Sequence, residues 1–600
     1  MTDQNTLYGL AQSGSYERFQ HWMRLLGRAQ QLQLEFWLRQ SRASRPLPLD
    51  PFGLLPLGAR VGASLLSNPH RLMDHQTRFL QEVSALWQAA AQSLTPPAGE
   101  AAPQEEARSD RRFAAPEWQS HPAFDLMRQS YLLASEHWLR LMEGIEGLDD
   151  ASRTKLRFFA RQWADALAPS NFPHLNPQVM KATLEEQGQN LLRGFENLLN
   201  DLEKGFISLT DEAAFTVGEN VAATPGKVVF ENRLFQLIQY QPVTDTVRQI
   251  PILIAPPWIN KFYILDLTPQ KSFVRWCVEQ GFTVFVISWV NPGPEHQDVG
   301  LAHYMQEGFI TAMETVRIIC DAPSVHTIGY CVAGTMLAPT LAWLAAQGRE
   351  DLVSSATFFT AQVDFSEAGD LRALVDETQL QTLEQLCAET GVLDSRYMAA
   401  TFNMLRANDL IWNYVVNNYL LGREPPPFDL LFWNSDSTRL PRAMLMEYLR
   451  DMYLDNRLVQ PGGITLAGVP IDLTRIRIPA YIQAGREDHI APARSVYKLT
   501  RHLSGPLRFV LAGSGHIAGV VNPPEARKYQ HWVSDHLAET LPETLDDFLA
   551  RAEERPGSWW PDWKAWLAPQ LGPDVPARIP GSHPDYPAIE DAPGRYVQMR

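Results

Sequence analysis

Apolar positions divide the chain into two regimes. In the first part they recur every three or four residues: Phe19, Trp22, Met23, Leu26 and Ala29; then Phe79, Leu80, Val83, Leu86 and Trp87; then Phe124, Met127, Tyr131, Trp138, Leu141 and Met142. Each set lays one apolar stripe along a helix. The stripes suit packing within a helical domain, and some of them could face a partner or an apolar surface. Between the second and third sets, residues 94–108 (LTPPAGEAAPQEEAR) carry almost no bulky apolar side chain, which predicts a flexible linker.

From about residue 226 the pattern changes. Val228–Phe230 and Phe235–Tyr240 form a hairpin pattern around Asn232. Apolar runs follow at Ile252–Ile254, Thr283–Ile287, Val325–Ile328, Ala356–Phe359, Tyr481–Gln483 and Arg508–Leu511, with helical stretches between them. Short apolar strands alternating with helices predict a mostly parallel sheet covered on both faces. The stretch from Phe359 to Ala480 is too long for one crossover and holds an aromatic-rich segment, FDLLFWNSDSTRLP at 428–441. It reads as a cap inserted at about 362–478, covering a site and controlling access to it. The expected organisation is a mainly helical N-terminal domain (1–225), an α/β catalytic domain (226–575) carrying the cap, and a C-terminal tail (576–600).

Composition narrows the function. Of 600 residues, 45% are hydrophobic and 20% charged, a globular balance. The formal net charge of −16 argues against nucleic-acid binding. Four widely spaced Cys fit neither a disulfide framework nor a zinc site and suit a reducing cytoplasm. No secretory signal pattern opens the chain, and no run of about 18 apolar residues predicts a membrane span.

The chemistry gathers at strand ends. The run Val325–Ile328 leads into Gly329-Tyr330-Cys331-Val332-Ala333-Gly334 and then a helical stretch, Met336–Ala346. Strand, tight turn and helix form the setting of a nucleophile elbow in an α/β-hydrolase fold, with Cys331 where a serine commonly stands. The Val332 N–H, just after the nucleophile, is one expected oxyanion donor. The strand at Tyr481 ends in Arg486-Glu487-Asp488-His489, and the strand at Phe509 ends in Gly513-Ser514-Gly515-His516. The order nucleophile, acid, histidine is the one this fold uses. Asp488 is the expected acid, with Glu487 the alternative beside it. His516 is the expected base, and His489 reads as structural. Pro256-Pro257-Trp258-Ile259-Asn260-Lys261 follows the strand at Ile252, where the second oxyanion N–H is expected near Ile259 or Asn260, unless the motif only shapes the turn. Cys277, Cys320 and Cys387 lack this context and read as packing residues. A thiolate that attacks a thioester yields another thioester and keeps the acyl group activated, so cysteine favours acyl transfer over hydrolysis.

At these motifs the sequence resembles the polyhydroxyalkanoate synthase family. The resemblance runs from about residue 110 through DRRFAAPEWQSHPAFDLMRQSYLL, SNFPHLNP, VFENRLFQLIQY, PPWINKFYILDL, GYCVAGT, NDLIWNYVVNNYL, FDLLFWNSDSTRLP, REDHIAP, GSGHIAGVVNPP and GSWWPDW, in family order. It implies polymerisation of 3-hydroxyacyl-CoA into polyester with release of CoA, and it maps nucleophile, acid and base onto Cys331, Asp488 and His516. It implies no cofactor, coenzyme A being part of the substrate and then a product. It also implies a homodimer at the surface of polymer granules in the cytoplasm. The length, and Tyr330 before the cysteine, resemble class I enzymes acting on short-chain monomers such as 3-hydroxybutyryl-CoA. The family's usual x-G-G after the cysteine is Val332-Ala333-Gly334 here, a departure of one methyl. The N-terminal helices could then serve dimer, granule or partner contacts. A thioesterase or polyester depolymerase of the same fold, and a non-catalytic granule coat protein, are the rival readings.

Overall fold

In the computed structural model the described residues are 23–25, 27, 28, 30, 31, 50, 52–93, 110–535 and 541–600. The expected linker lies outside them, as does most of the first apolar stripe. The chain forms two compact units, one of residues 1–211 with 400–427, the other of 212–399 with 428–600.

The first unit is helical. Its longer helices are α1 (Leu54–Ser67), α2 (Pro69–Ser93), α3 (Pro122–Glu143), α4 (Asp150–Ala166) and α5 (Gln189–Lys204). Local signals start them: Pro122 opens α3, and the Asp149 carboxylate caps α4 by accepting from the Ser152 N–H at 2.8 Å. Of the second stripe, Leu80 and Trp87 stay exposed on α2. Residues 400–427, expected within the cap, pack in this unit. Gly194 on α5 permits the approach, since a Cβ there would lie 1.9 Å from the Tyr419 carbonyl oxygen. Tyr419 donates to the Asp201 carboxylate at 2.7 Å, and the Asn190 amide donates to the Leu420 carbonyl at 2.9 Å.

The second unit is built on one eleven-stranded sheet: β1 (Gly226–Glu231), β2 (Phe235–Tyr240), β3 (Ile252–Ala255), β4 (Val284–Trp289), β5 (Val325–Tyr330), β6 (Val353–Phe359), β7 (Ala480–Gly485), β8 (Leu507–Ala512), β9 (Gln530–Val533), β10 (Glu553–Pro556) and β11 (Glu590–Asp591). Their order in space is β10-β9-β8-β7-β6-β5-β3-β4-β2-β1-β11. The centre, from β8 to β4, is parallel; the strands outside it pair antiparallel. All the strands expected from the apolar runs are present. The additions are at the edges. Glu553–Pro556 is mostly exposed, and Glu590–Asp591 brings the expected C-terminal tail back to pair with β1. Charged, proline-bearing edge strands resist pairing with other chains, and so lack the apolar signature of a central strand.

Register fixes where the central strands stop. Ala255 lies opposite Gly329, Gly329 opposite Phe358, Tyr330 opposite Phe359, and Phe359 opposite Gln483. Gly485 lies opposite Ala512. Five strands therefore end level, and the loops that leave them share one edge of the sheet. The sheet is covered by α6 (Phe273–Glu279), α7 (Val332–Ala346) and α8 (Trp560–Leu567), among others. Helix α7 is buried along nearly its whole length, as an all-apolar helix must be. Trp559, Trp560 and Trp563 are fully buried against Phe273 and Tyr481. No described helix is long and apolar enough to cross a membrane.

One polar network sits inside this core. The His326 ring on β5 is fully buried, its Nδ1 2.7 Å from Ser355 Oγ and its Nε2 3.1 Å from Thr357 Oγ1. The Trp563 indole N–H also donates to Thr357 Oγ1 at 2.9 Å, tying α8 to the sheet. Burial pushes the imidazole pKa down to about 3. An unfolded histidine titrates near ~6.5, so between these values the unfolded chain binds a proton that the folded chain refuses. Stability from this residue is therefore lost as pH falls below ~6.5, at a limiting slope of about 1.4 kcal/mol per pH unit. Urea unfolding of wild type and His326→Gln across pH 7.5 to 5 checks this: the wild-type curve is expected to fall more steeply, and parallel curves would refute it.

Candidate active site

The turn from β5 into α7 carries Cys331 at φ 56°, ψ −125°. A non-glycine residue at positive φ costs on the order of 1–3 kcal/mol and persists only where its surroundings enforce it. Here the Cys331 N–H donates to the Phe359 carbonyl of β6 at 2.9 Å, while the Cys331 carbonyl accepts from the Thr335 N–H at 2.9 Å in the first turn of α7. Two glycines give room. A Cβ on Gly329 would lie 2.6 Å from the Gly334 Cα, and one on Gly334 would lie 2.4 Å from the Ala361 Cβ. Ala333, the extra methyl in this motif, is accommodated fully buried. The side chain of Cys331 touches both halves of the core yet remains partly accessible, unlike Cys277, Cys320 and Cys387, which are buried.

The loops after β7 and β8 meet it. His516 Nδ1 lies 2.7 Å from Asp488 Oδ2. The other carboxylate oxygen, Oδ1, accepts from the N–H groups of Ile490 at 2.8 Å and Ala491 at 2.9 Å, so the acid is held on both sides. The Asp488 side chain is wholly buried, whereas Glu487 is exposed. The Cys331 side chain lies near enough for its charge to act on the His516 imidazole. Burial alone would lower the imidazole pKa, but the charges of the neighbouring Asp488 and Cys331, with the hydrogen bond to Asp488, raise it to about 10. Tyr330 fixes the same loop from beneath: its hydroxyl donates to the His516 carbonyl at 3.1 Å, and the two rings lie 5.6 Å apart. Cys331, His516 and Asp488 are thus brought together in that order. Val332 stands as the first residue of α7, with its N–H in the unpaired first turn.

The loop after β3 leaves the sheet beside Gly329 and is clamped by the segment 428–441. Thr438 donates from its N–H to the Ile259 carbonyl at 3.0 Å and from its hydroxyl to the Trp258 carbonyl. The Trp433 indole donates to the Lys261 carbonyl at 2.7 Å. Asn260 is buried, its amide donating to the Asn434 carbonyl and to Ser437 Oγ, each at 3.2 Å. Lys261 is buried 2.8 Å from Asp436, which also accepts from the Tyr263 hydroxyl at 2.8 Å. Burial lowers the Lys261 pKa, and Asp436 opposes that shift. Two motifs that read as separate in the sequence are halves of one structure.

Two cap tyrosines were missed. Tyr448 and Tyr453 lie on a helical stretch, Tyr448–Leu454, with wide i to i+5 turns. Burial pushes both hydroxyls up in pKa, and the charge at Cys331 acts on each in the same direction. The two rings lie 5.7 Å apart, and the Tyr453 hydroxyl accepts from the Gln362 amide at 3.2 Å. Residues five apart fit no 3.6-residue stripe, so periodicity could not single them out. No group of His, Cys, Asp or Glu able to hold a metal ion occurs among the described residues.

A family model described as "Poly-beta-hydroxybutyrate polymerase (PhaC) N-terminus" matches residues 109–277, and one described as "alpha/beta hydrolase fold" matches residues 258–523. The chain is 46% identical to the poly(3-hydroxyalkanoate) polymerase of Methylorubrum extorquens over 594 residues, covering 95% of this chain and 96% of that one. It is 44% identical to the poly(3-hydroxyalkanoate) polymerase subunit PhaC of Cupriavidus necator over 553 residues, covering 91% of each. It is 35% identical to poly(3-hydroxyalkanoate) polymerase 1 of Ectopseudomonas oleovorans, covering 82% of this chain and 87% of that one. On a sheet, an elbow and a loop set of the α/β-hydrolase fold, at this identity over nearly its full length, the chain belongs to the poly(3-hydroxyalkanoate) polymerase family.

Proposed function

We propose that this protein polymerises 3-hydroxyacyl-CoA, with short-chain monomers such as 3-hydroxybutyryl-CoA preferred, into polyhydroxyalkanoate and releases CoA. The observation that supports the reading is the elbow that holds Cys331 at positive φ, together with His516 hydrogen-bonded to a doubly held Asp488 at the same edge of the sheet. Cys331 is the nucleophile. Its sulfur attacks the thioester carbonyl; the C–S bond to CoA breaks, and CoA leaves as the thiol with a proton from His516. The Val332 N–H, at the start of α7, and the Asn260 N–H, in the clamped loop, stabilise the oxyanion. His516, now neutral, removes the proton of an incoming 3-hydroxyl, whose oxygen attacks the acyl thioester on Cys331; the ester bond forms, the acyl C–S bond breaks, and the Cys331 thiolate is regenerated beside the protonated imidazole. Asp488 keeps the imidazole in the required tautomer. No cofactor enters these steps.

Tyr330, packed under His516, supports the short-chain preference by filling space beside the nucleophile. We further propose a homodimer working at the surface of cytoplasmic polymer granules, with the N-terminal helices in contact with the partner subunit, the granule or granule-associated proteins. Exposed Leu80 and Trp87 on α2 support that role.

Two measurements test this. Incubation with 3-hydroxybutyryl-CoA is expected to give free CoA and insoluble polyester, and Cys331→Ala is expected to release no CoA; free hydroxy acid in place of polyester would mark a thioesterase, and unchanged release in the variant would rule out Cys331. Deleting residues 1–108 is expected to weaken granule association and lower polymer yield, read by granule sedimentation and CoA release; a truncated chain equal to the full one in both removes the assigned role of that region.

A further inference from the structure

Gln362 leaves a buried acceptor unused beside the nucleophile. It lies in the loop after β6, the strand whose last carbonyl holds the Cys331 N–H. That loop is strained at Thr360, a β-branched residue at φ 41°, and its Ala361 is pressed against Gly334 of the elbow. The Gln362 residue is only 3% exposed. Its carbonyl accepts from the Thr335 hydroxyl at 2.7 Å, one turn along α7 from Cys331. Its side-chain amide donates to the Tyr453 hydroxyl at 3.2 Å. Its Oε1 has no partner. The walls around it are aromatic and cap-derived: the Tyr453 ring lies 4.7 Å from Phe365 and 5.7 Å from Tyr448. Tyr448, like Cys331, keeps some accessible surface.

An unpaired buried acceptor carries the full cost of its desolvation, so a residue that keeps one calls for an explanation. A donor supplied by a ligand would remove the penalty on binding. Resting on the acyl-transfer reading above, the ligand that reaches Cys331 carries one donor close to its reacting carbonyl, the 3-hydroxyl. We propose that Gln362 is a specificity-determining residue whose Oε1 accepts a hydrogen bond from the 3-hydroxyl of the hydroxyacyl group, so that the site selects hydroxylated over unsubstituted acyl thioesters. Thr335 and Tyr453 hold the amide in place, one on its backbone and one on its nitrogen. Selection of this kind is strong because the competing substrate leaves the acceptor unpaired, whereas an apolar pocket distinguishes two acyl groups only by size.

The test is single-turnover CoA release from 3-hydroxybutyryl-CoA and from butyryl-CoA, by wild type and by Gln362→Met, which keeps the volume and removes the acceptor. Wild type is expected to favour the hydroxylated substrate by about tenfold or more, the scale of one well-made hydrogen bond. Gln362→Met is expected to bring that ratio down about tenfold while leaving the butyryl-CoA rate within about a factor of two. Equal losses on both substrates would mean a structural role and overturn the proposal, as would an unchanged ratio. A wild-type ratio near one overturns it without any variant, which covers the case of a misfolded Gln362→Met. A wild type that releases no CoA from 3-hydroxybutyryl-CoA would instead overturn the acyl-transfer reading.

Discussion

The turn at Cys331 is the constraint on which the second unit depends. A strand must end, reverse into a helix within one residue, and leave a side chain standing at the turn. The backbone can do this only at positive φ and only if the helix lies close on the sheet. That closeness forbids a Cβ at Gly329 or Gly334. It also forces α7 into the core, so the helix is apolar around its whole circumference. The level ends of β3, β5, β6, β7 and β8 follow from the parallel register and bring the other loops to the same edge.

Charge is placed on this frame under the same economy. His516 and Asp488 are both removed from water, an arrangement that would destabilise either alone. Each is compensated: Asp488 by two backbone N–H groups and the imidazole, His516 by the carboxylate and the charge at Cys331. The buried Lys261–Asp436 pair works differently. It holds the loop after β3 against the segment that crosses it, and Tyr263 satisfies the remaining carboxylate oxygen. Buried pairs of this sort add little net stability, but they penalise any arrangement in which one partner is missing.

The sequence made the central strands legible because strands buried on both faces must be continuous apolar runs. It made Cys331, Asp488 and His516 legible as candidates because each follows such a run and their order is one a single fold uses. Other features left no such trace. Strands β10 and β11 are charged and partly exposed, so their pairing depends on neighbours the local pattern does not contain. Residues 400–427 gave no sign that they pack with the first unit, since Gly194 and Tyr419 meet only through tertiary structure. Tyr448 and Tyr453 fell between helical periods, and Gln362 was one polar residue in a loop. What would make an oxyanion donor of Asn260 or Val332 is backbone direction, which side-chain identity does not encode.

Water is the competitor that a transferase on this fold must defeat. On the proposed mechanism, a thioester at Cys331 would be as open to hydroxide as to an alcohol, and the same His516 would activate either nucleophile. Selectivity must then come from exclusion and from recognition. Tyr448 and Tyr453 place aromatic surface within reach of the charge at Cys331, and the Tyr453 hydroxyl is committed to the Gln362 amide. A wall of that kind offers a stray water few partners, and a water without partners is poorly held. An incoming hydroxyacyl group meets the same wall with apolar carbons to bury and one hydroxyl to place. On the proposed mechanism, the physical distinction between polymerisation and hydrolysis lies less in the sulfur and the imidazole than in the groups around them, among which Gln362 keeps an acceptor open.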